Sequence, residues 1–176
     1  MEITINDDFN LEKIIASGQC FRAYRKSDGG YCFITGKNTI SIVECSNGSF
    51  IMDCTENEWE NIWYDYFDLS RNYAQVRTGV HHQDYSMKRM AEYGKGIRIL
   101  KQEPWETIIT FIISQRKSIP AIKKSVECLC TMAGDKLSPS SGLSYSFPTP
   151  TAILNMFCFL LSTALSPRAP FHAWRP

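Results

Sequence analysis

The hydrophobic pattern of this chain changes its period at Thr55, from strand-like runs to helical spacing. Three β-rich runs precede that point, at residues 30–35, 39–45 and 49–54. The breaks between the runs are turn signals, and the Asn47-Gly48 pair favours a tight hairpin because both residues tolerate positive φ. These runs, with further β-like segments at residues 21–26 and 2–5, predict an antiparallel sheet.

Helical patterns fill most of the chain from Thr55 to Gly134. Thr55 and Glu58 have the spacing of a capping box, and one helix face after them carries an aromatic stripe expected in the core: Trp59, Ile62, Trp63 and Tyr66. Other helices are predicted at residues 11–16, 73–80, 85–93, 104–113 and 119–132. The almost wholly apolar run 105–113 predicts a helix buried on most sides. A sheet followed by helices predicts an α+β fold rather than alternating α/β.

Length and charge limit the possible functions. A chain of 176 residues with 44% apolar composition fits one domain, or one small domain with part of another. The net charge of +1 gives no overall attraction to polyanions, so any nucleic-acid contact must come from local clusters of Lys and Arg. The apolar run at 156–161 is shorter than the roughly 20 residues of a membrane-spanning helix, so no membrane segment is predicted.

Seven cysteines are spread along the chain without a C-x-x-C pair, and no secretory signal precedes them. We predict reduced thiols in a cytosolic protein. Cys128 and Cys130 lack a second Cys or His pair at zinc-finger spacing, and His81-His82 has no acidic or cysteine partner at ligand spacing. Neither a metal site nor a small-molecule cofactor is expected.

Five motifs in order carry a family resemblance. They are Ser17-Gly18-Gln19-Cys20-Phe21-Arg22, Asp65-Tyr66-Phe67-Asp68-Leu69, the run from Gly96 to Glu106, Phe111-Ile112-Ile113-Ser114-Gln115, and Phe147-Pro148-Thr149-Pro150. Over about residues 1–154 the chain resembles the 8-oxoguanine DNA glycosylase family, which belongs to the helix-hairpin-helix glycosylase superfamily. The resemblance implies an N-terminal antiparallel sheet domain of the TATA-binding-protein type at residues 1–80. An incomplete all-helical glycosylase domain would follow at 81–154, and a divergent tail at 155–176.

The resemblance also implies a chemistry. Members of the family extrude an oxidised guanine from duplex DNA, cut its N-glycosidic bond with a lysine amine, and cleave the strand as an AP lyase through the Schiff base. Extrusion costs roughly a few kcal/mol, which lesion contacts must offset. A desolvated lysine is neutral and nucleophilic near pH 7. The implied partner is double-stranded DNA containing an oxidised purine, bound by a monomer in base-excision repair.

The substrate-binding residues that the resemblance implies are Gly18, Gln19 and Phe111. In the family, the glycine of the S-G-Q motif offers its carbonyl to the protonated N7 of 8-oxoguanine, a hydrogen that guanine lacks. Gly18 takes that role by motif match. From the residues alone, Gly18 is better explained as a flexible turn between helix and strand. The resemblance reverses that preference.

A basic connection between two helices is the candidate DNA contact. Its residues Gln115, Arg116 and Lys117 lie where a polar tip would enter a duplex from the minor groove and fill the hole left by the extruded nucleotide. Lys123, with Lys124, would add phosphate contacts. The alternative is a solvated interhelical turn followed by exposed lysines.

The catalytic motif of the family has no match in this sequence. The family's lysine lies in a Gly-rich hairpin of the type L-P-G-V-G-x-K, and an essential aspartate follows it. All lysines of this chain lie at or before Lys136, ahead of the place where that hairpin belongs. No catalytic residue is therefore assigned.

The composition changes again in the tail. From Leu137 to Pro176 there is no Asp or Glu, and only two of the 37 charged residues (19 basic and 18 acidic) lie there, Arg168 and Arg175. A frameshift followed by an early stop would produce such a junction near Asn155; a genuine truncation or a different C terminus is the alternative. The helices at 105–113 and 119–132 would then lack cover, and the run 156–161 is a candidate substitute.

Three hypotheses follow. The chain is an 8-oxoguanine DNA glycosylase homologue that is catalytically incompetent, a noncatalytic module that binds damaged DNA, or a nonfunctional fragment. The expected location is the bacterial cytoplasm, at the nucleoid, because Arg116 and Lys117 are closer to bacterial variants than to the asparagines of many eukaryotic members.

Overall fold

The computed structural model describes residues 1–79, 84–137 and 144–164, with side chains as far as residue 161. Its main sheet contains five strands: β1 (Glu2–Thr4), β2 (Ala23–Arg25), β3 (Tyr31–Thr35), β4 (Asn38–Glu44) and β5 (Ser49–Met52). Their order is β1-β5-β4-β3-β2, and all neighbours are antiparallel. The predicted antiparallel sheet is confirmed.

The hairpin between β4 and β5 forms at the predicted Asn47-Gly48 pair. Gly48 has a φ of 80°, and its N–H donates to the Cys45 carbonyl at 3.0 Å. The side-chain oxygen of Asn47 accepts from the Ser49 N–H at 3.0 Å. The turn therefore satisfies its own polar groups and fixes the register of the two strands.

The helices follow the sequence pattern closely. They are α1 (Leu11–Ala16), α2 (Glu56–Glu58), a π-helical segment (Trp59–Trp63), α3 (Tyr64–Tyr66), α4 (Tyr73–Thr78), α5 (Tyr85–Tyr93), α6 (Pro104–Ser114), α7 (Ile119–Ala133) and α8 (Pro150–Ala164). A short pair of strands, β6 (Lys136–Leu137) and β7 (Ser144–Tyr145), lies between α7 and α8. The result is an α+β fold, as predicted.

The helical segment after β5 begins at a capping box. The Thr55 hydroxyl accepts from the Glu58 N–H, and the Glu58 carboxylate accepts from the Thr55 N–H at 2.8 Å. Three members of the predicted stripe are buried, Trp59, Trp63 and Tyr66, and Ile62 packs against them half-buried. The stripe therefore belongs to the core, and the Tyr66 ring packs edge-on against the rings of Phe33, Trp63 and Phe67.

A second, smaller hydrophobic cluster lies under α7. Its buried members are Ile122, Val126 and Cys130 on one face of that helix, with Phe147 before α8. Cys130 is a free thiol, and burial raises its pKa to about 12. This cysteine therefore acts as a small apolar side chain in the cluster.

The prediction that α6 is buried on most sides is wrong. Ile108, Phe111 and Ile112 are 56%, 67% and 61% exposed. The buried residues of α6 are instead Glu106 and Thr110, on the face that meets the sheet and α7. A wholly apolar helix is buried on all sides only when other elements surround it. No described element covers the outer face of α6.

The tail run forms a helix but covers little. In α8, Ala152, Ile153 and Met156 are half-buried, whereas Leu154 and Phe157 are about three-fifths exposed. None of these five residues belongs to the hydrophobic cluster under α7. The expected substitute cover is thus partial, because α8 is half-buried on one face and exposed on the other. Among the described residues, no helix is long and apolar enough to cross a membrane.

Candidate nucleic-acid interface

The Ser17-Gly18-Gln19 turn ends α1 and leads into β2. Gly18 has a φ of 76°, a conformation that favours glycine, and the Ser17 hydroxyl donates to the Ile14 carbonyl at 2.6 Å. The turn that the residues alone predicted at Gly18 is confirmed. The assigned role of its carbonyl in lesion recognition stays a prediction.

Gln19 fixes this turn to the segment before α6. Its side-chain oxygen accepts from the Leu100 N–H at 2.8 Å, and its side-chain nitrogen donates to the Arg98 carbonyl at 2.7 Å and to the Ser17 hydroxyl at 2.9 Å. The Gln102 amide donates in turn to the Gln19 carbonyl at 2.6 Å. The Gln19 amide is thus engaged within the protein, so it holds the turn in place.

The turn lies beside the start of α7. A Cβ atom placed on Gly18 would be 3.7 Å from the Cδ1 atom of Ile119, which is the first residue of that helix. Ile119 immediately follows the basic connection between α6 and α7. The fold therefore brings together the two regions that the sequence singled out separately.

The connection itself is exposed and has an unusual backbone. Arg116 has a φ of 58°, which is uncommon for a residue with a side chain. The Lys117 N–H donates to the Ser114 carbonyl at 3.1 Å, and the Gln115 side chain donates to the Phe111 carbonyl at 3.0 Å. The tight turn projects Arg116 at the tip, where nothing described binds its guanidinium.

Phe111 and Lys123 occupy different environments. Phe111 is 67% exposed on the outer face of α6, and its carbonyl accepts one hydrogen bond from the Gln115 side chain of the connection. The Lys123 ammonium instead donates to the Ala23 carbonyl of β2 at 3.2 Å. Lys123 therefore contacts the sheet, while its neighbour Lys124 is exposed.

Sequence reasoning missed the structural role of Arg98. Its guanidinium is fully buried, donates to the Asp8 and Asp68 carbonyls at 2.8 Å each, and binds the Asp7 carboxylate at 2.5 Å. Burial raises the pKa of Asp7, but hydrogen bonds from the N–H groups of Tyr73 and Ala74 and the nearby guanidinium outweigh it and lower that pKa. The one available signal was an arginine between Ile97 and Ile99, inside an apolar run.

The surroundings of Lys101 do not favour the neutral, nucleophilic amine that a glycosylase needs. The carboxylates of Asp65, at 2.6 Å, and Asp68, at 3.3 Å, bind its ammonium and raise its pKa. A nucleophilic amine needs the opposite shift. The described residues contain no cluster of three metal-ligating side chains, and His81-His82 lies outside them.

Comparison with known proteins places these features in a family. The family model described as 8-oxoguanine DNA glycosylase, N-terminal domain, matches residues 2–108. An N-glycosylase/DNA lyase of Saccharomyces cerevisiae is 46% identical over 56 residues, which are 31% of this chain and 15% of the yeast protein.

Solved structures give longer matches. MBOgg1 in complex with a low-affinity DNA ligand has a TM-score of 0.81 at 35% identity, over 88% of this chain and 53% of that one. The apo 8-oxoguanine glycosylase/lyase of Clostridium acetobutylicum has a TM-score of 0.80 at 33% identity, over 86% of this chain and 53% of that one. The same enzyme bound to double-stranded DNA with cytosine opposite 8-oxoG has a TM-score of 0.75. The chain thus spans about half the length of these solved relatives.

Proposed function

The chain belongs to the 8-oxoguanine DNA glycosylase family, and from this we propose that its 176 residues bind duplex DNA containing an oxidised purine without cleaving it. The family's N-glycosylase and AP lyase reactions belong to base-excision repair. In this proposal the chain carries part of the recognition surface for that reaction and none of its catalytic residues.

One observation carries the proposal: the glycine turn and the basic connection are adjacent. Gly18 lies beside Ile119, and Ile119 is three residues after Arg116. A lesion contact at the turn and an inserted side chain at the tip would act on the same distorted site in a duplex.

Local charge supports DNA as the partner. Between Glu106 and Glu127 the chain carries Arg116, Lys117, Lys123 and Lys124 and no carboxylate. Phosphate attraction depends on such local clusters when the net charge is close to neutral. The guanidinium of Arg116 is also planar, so it can stack on bases exposed by extrusion of a neighbour.

We base the proposed absence of cleavage on the residues of this chain. None of its lysines stands in a Gly-rich hairpin of the family type, and the pKa of Lys101 is raised by two carboxylates. A Schiff base requires a neutral amine at the extruded nucleotide. These 176 residues on their own supply none in a matching motif.

The test combines a binding titration with covalent trapping. The chain is titrated by fluorescence anisotropy against an 8-oxoguanine duplex and the matching undamaged duplex at fixed salt, then incubated with the damaged duplex and borohydride. We expect tighter binding to the damaged duplex and no trapped adduct. The Clostridium acetobutylicum enzyme serves as the positive control for trapping.

Each other outcome contradicts the proposal in a different way. A trapped adduct would make the chain an enzyme. Equal binding to both duplexes would remove lesion recognition, and no binding would leave a nonfunctional fragment. We further propose a bacterial cytoplasmic protein, located at the nucleoid; a fluorescent fusion excluded from the nucleoid would count against that location.

A further inference from the structure

An open cleft of about 340 Å³ lies between β2 and α7. Arg22 and Ser144 line this cleft and are only 2% and 9% exposed. Lys123 and Lys124 of α7 line it as well, the first half-buried and the second exposed. The buried residues therefore form the floor of the cleft, and the two lysines lie nearer its mouth.

Two buried donors at this floor have no partner. Among the described residues, the buried side-chain nitrogen and oxygen atoms without a hydrogen-bond partner are Nη1 of Arg22 and Oγ of Ser144. The rest of the guanidinium is engaged, because Nε donates to the Glu127 carboxylate at 2.9 Å and Nη2 donates to the Tyr145 carbonyl at 2.5 Å. An unsatisfied buried donor is costly, and most costly on a charged group. Both unpartnered donors belong to the same cleft, which is the observation that points to a ligand.

The charges of the cleft favour an anion. Its described lining has three cations, at Arg22, Lys123 and Lys124, and one carboxylate, Glu127. That carboxylate is already bound to the Arg22 guanidinium. Lys123 is fixed in position because its ammonium donates to the Ala23 carbonyl of β2 at 3.2 Å, and an ammonium has further N–H donors for a ligand. The cleft therefore offers donors from two elements to one negatively charged group.

We propose that this cleft binds a phosphate group through Nη1 of Arg22, the Ser144 hydroxyl and the Lys123 ammonium, with Lys124 at its mouth. The oxygens of a phosphate can accept from all of these donors at once, and arginine and lysine are the side chains that bind phosphate in proteins. An internal phosphodiester of a duplex has a sugar on each side, which keeps it from donors at the floor of a cleft. The ligand is therefore a free phosphate ion or the terminal phosphate of a nucleic acid.

The first experiment contains no DNA, so its outcome is independent of the proposed lesion binding. The full chain is titrated with inorganic phosphate by isothermal titration calorimetry, in a phosphate-free buffer at constant ionic strength. We expect saturable binding of one phosphate per chain, and chloride at the same concentration should not replace it. A ligand that binds only the folded state also raises the thermal unfolding midpoint, so phosphate should do so here.

Ser144→Ala removes one donor and leaves the Arg22 contacts with Glu127 and Tyr145 intact. We expect phosphate binding about tenfold weaker, the factor for one lost hydrogen bond to a charged group. The unfolding midpoint without phosphate should not fall, because the substitution removes a buried hydroxyl that has no partner among the described residues. A residue that served the fold alone would show the opposite pattern.

Two exposed lysines form a matched pair for the charge at the mouth of the cleft. Lys124→Gln removes a cation that lines the cleft, whereas Lys88→Gln removes one on α5, outside its described lining. We expect weaker phosphate binding for Lys124→Gln and no change for Lys88→Gln. Because both side chains are exposed, this comparison decides the matter even if Ser144→Ala fails to fold.

Two undamaged duplexes of one sequence, with and without terminal phosphates, distinguish the two sources of the ligand. Tighter binding of the phosphorylated duplex that is lost in Ser144→Ala assigns the cleft to the end of a nucleic-acid strand. Equal binding of the two duplexes, together with saturable binding of inorganic phosphate, assigns it to the free ion.

Three results would overturn the inference. One is the absence of saturable phosphate binding by the unmodified chain. Another is a folded Ser144→Ala variant that binds phosphate as tightly as the parent. The third is an equal loss for Lys88→Gln and Lys124→Gln, which would show attraction to the overall charge of the protein rather than binding in this cleft.

Discussion

The carboxylate of Glu106 accepts a hydrogen bond of 3.0 Å from the backbone N–H of Gly36. Glu106 lies in the first turn of α6, and Gly36 lies in the turn between β3 and β4. The Gly36 carbonyl in turn accepts from the Phe147 N–H at 3.1 Å. The N–H and the carbonyl of one glycine thus join the sheet to the start of α6 and to the segment before α8.

The Glu106→Gln variant tests how this contact depends on charge. Burial raises the pKa of Glu106, while the bond from Gly36 and the nearby Arg22 lower it less. Because the folded state holds the proton more tightly, the contribution of Glu106 to stability is greatest below its unfolded pKa of about 4.3 and falls as pH rises through the folded pKa. Glutamine keeps an acceptor for Gly36 and removes the charge.

We therefore expect the variant to be at least as stable as the parent at pH 7. The difference in unfolding free energy, variant minus parent, should grow as pH rises from about 4 to 7. Urea unfolding followed by circular dichroism measures it. Subtracting the two curves cancels the other titrating groups, including Asp7, whose lowered pKa acts in the opposite direction. A difference that shrinks with rising pH would contradict the assigned shift.

The Gln19→Glu variant tests the clamp between the glycine turn and the segment before α6. Glutamate can still accept from Leu100, but an ionised carboxylate cannot donate to the Arg98 carbonyl. We expect a loss of about 1–3 kcal/mol in unfolding free energy at pH 7. Part of it should return near pH 4, where the protonated carboxyl group donates again.

The control for this change is Gln75→Glu, an exposed glutamine on α4 that receives the same substitution. It should change stability by no more than about 0.5 kcal/mol, the usual range for surface sites. Equal effects of the two substitutions would mean that the Gln19 contacts contribute nothing beyond added charge.

Gly96 and Gly48 form a matched pair for backbone strain. Both have positive φ, 91° and 80°, so alanine costs about 1 kcal/mol at either site. A Cβ at Gly96 would also lie 2.6 Å from the Asn10 Cβ, whereas nothing lies within 4 Å of one at Gly48. We expect Gly96→Ala to destabilise the protein by clearly more than Gly48→Ala in thermal or urea unfolding. Similar losses would mean that Asn10 can move away freely.

Local signals predicted the elements of this fold well because those signals act within a few residues. The Asn47-Gly48 hairpin and the Thr55-Glu58 capping box are satisfied by their own neighbours, so sequence spacing alone identifies them. The bounds of α5 were predicted for the same reason: Asp84 caps its N terminus and Gly94 ends it.

Contacts between distant segments were not predictable in the same way. Arg98 binds backbone carbonyls that are 30 and 90 residues away in the sequence. No local pattern around Arg98 indicates partners at such a separation. The exposure of Ile108 and Ile112 was mispredicted because an apolar run shows that a helix has apolar surface, not whether a partner covers it. In the candidate site, the adjacency of Gly18 and Ile119 depends on the packing of α7 against the sheet domain, so the motifs alone did not place them together.

Arg116 allows the effect of DNA insertion to be separated from the effect on folding. Its φ of 58° is strained for a residue with a side chain and relaxed for glycine. Arg116→Gly should therefore keep or raise the unfolding free energy, by up to about 1 kcal/mol, while it removes the guanidinium from the tip. Arg116→Ala removes the same group without relieving the strain.

If the tip fills the space left by an extruded base, both variants should weaken binding to an 8-oxoguanine duplex more than binding to undamaged single strands. Lys124→Ala is the control: it removes an exposed cation on α7, so it should weaken binding to both DNAs about equally. Fluorescence anisotropy at one fixed salt concentration measures all four proteins. An equal loss on both DNAs for Arg116→Gly, matching that of Lys124→Ala, would reduce Arg116 to a phosphate contact and reject its insertion into the duplex.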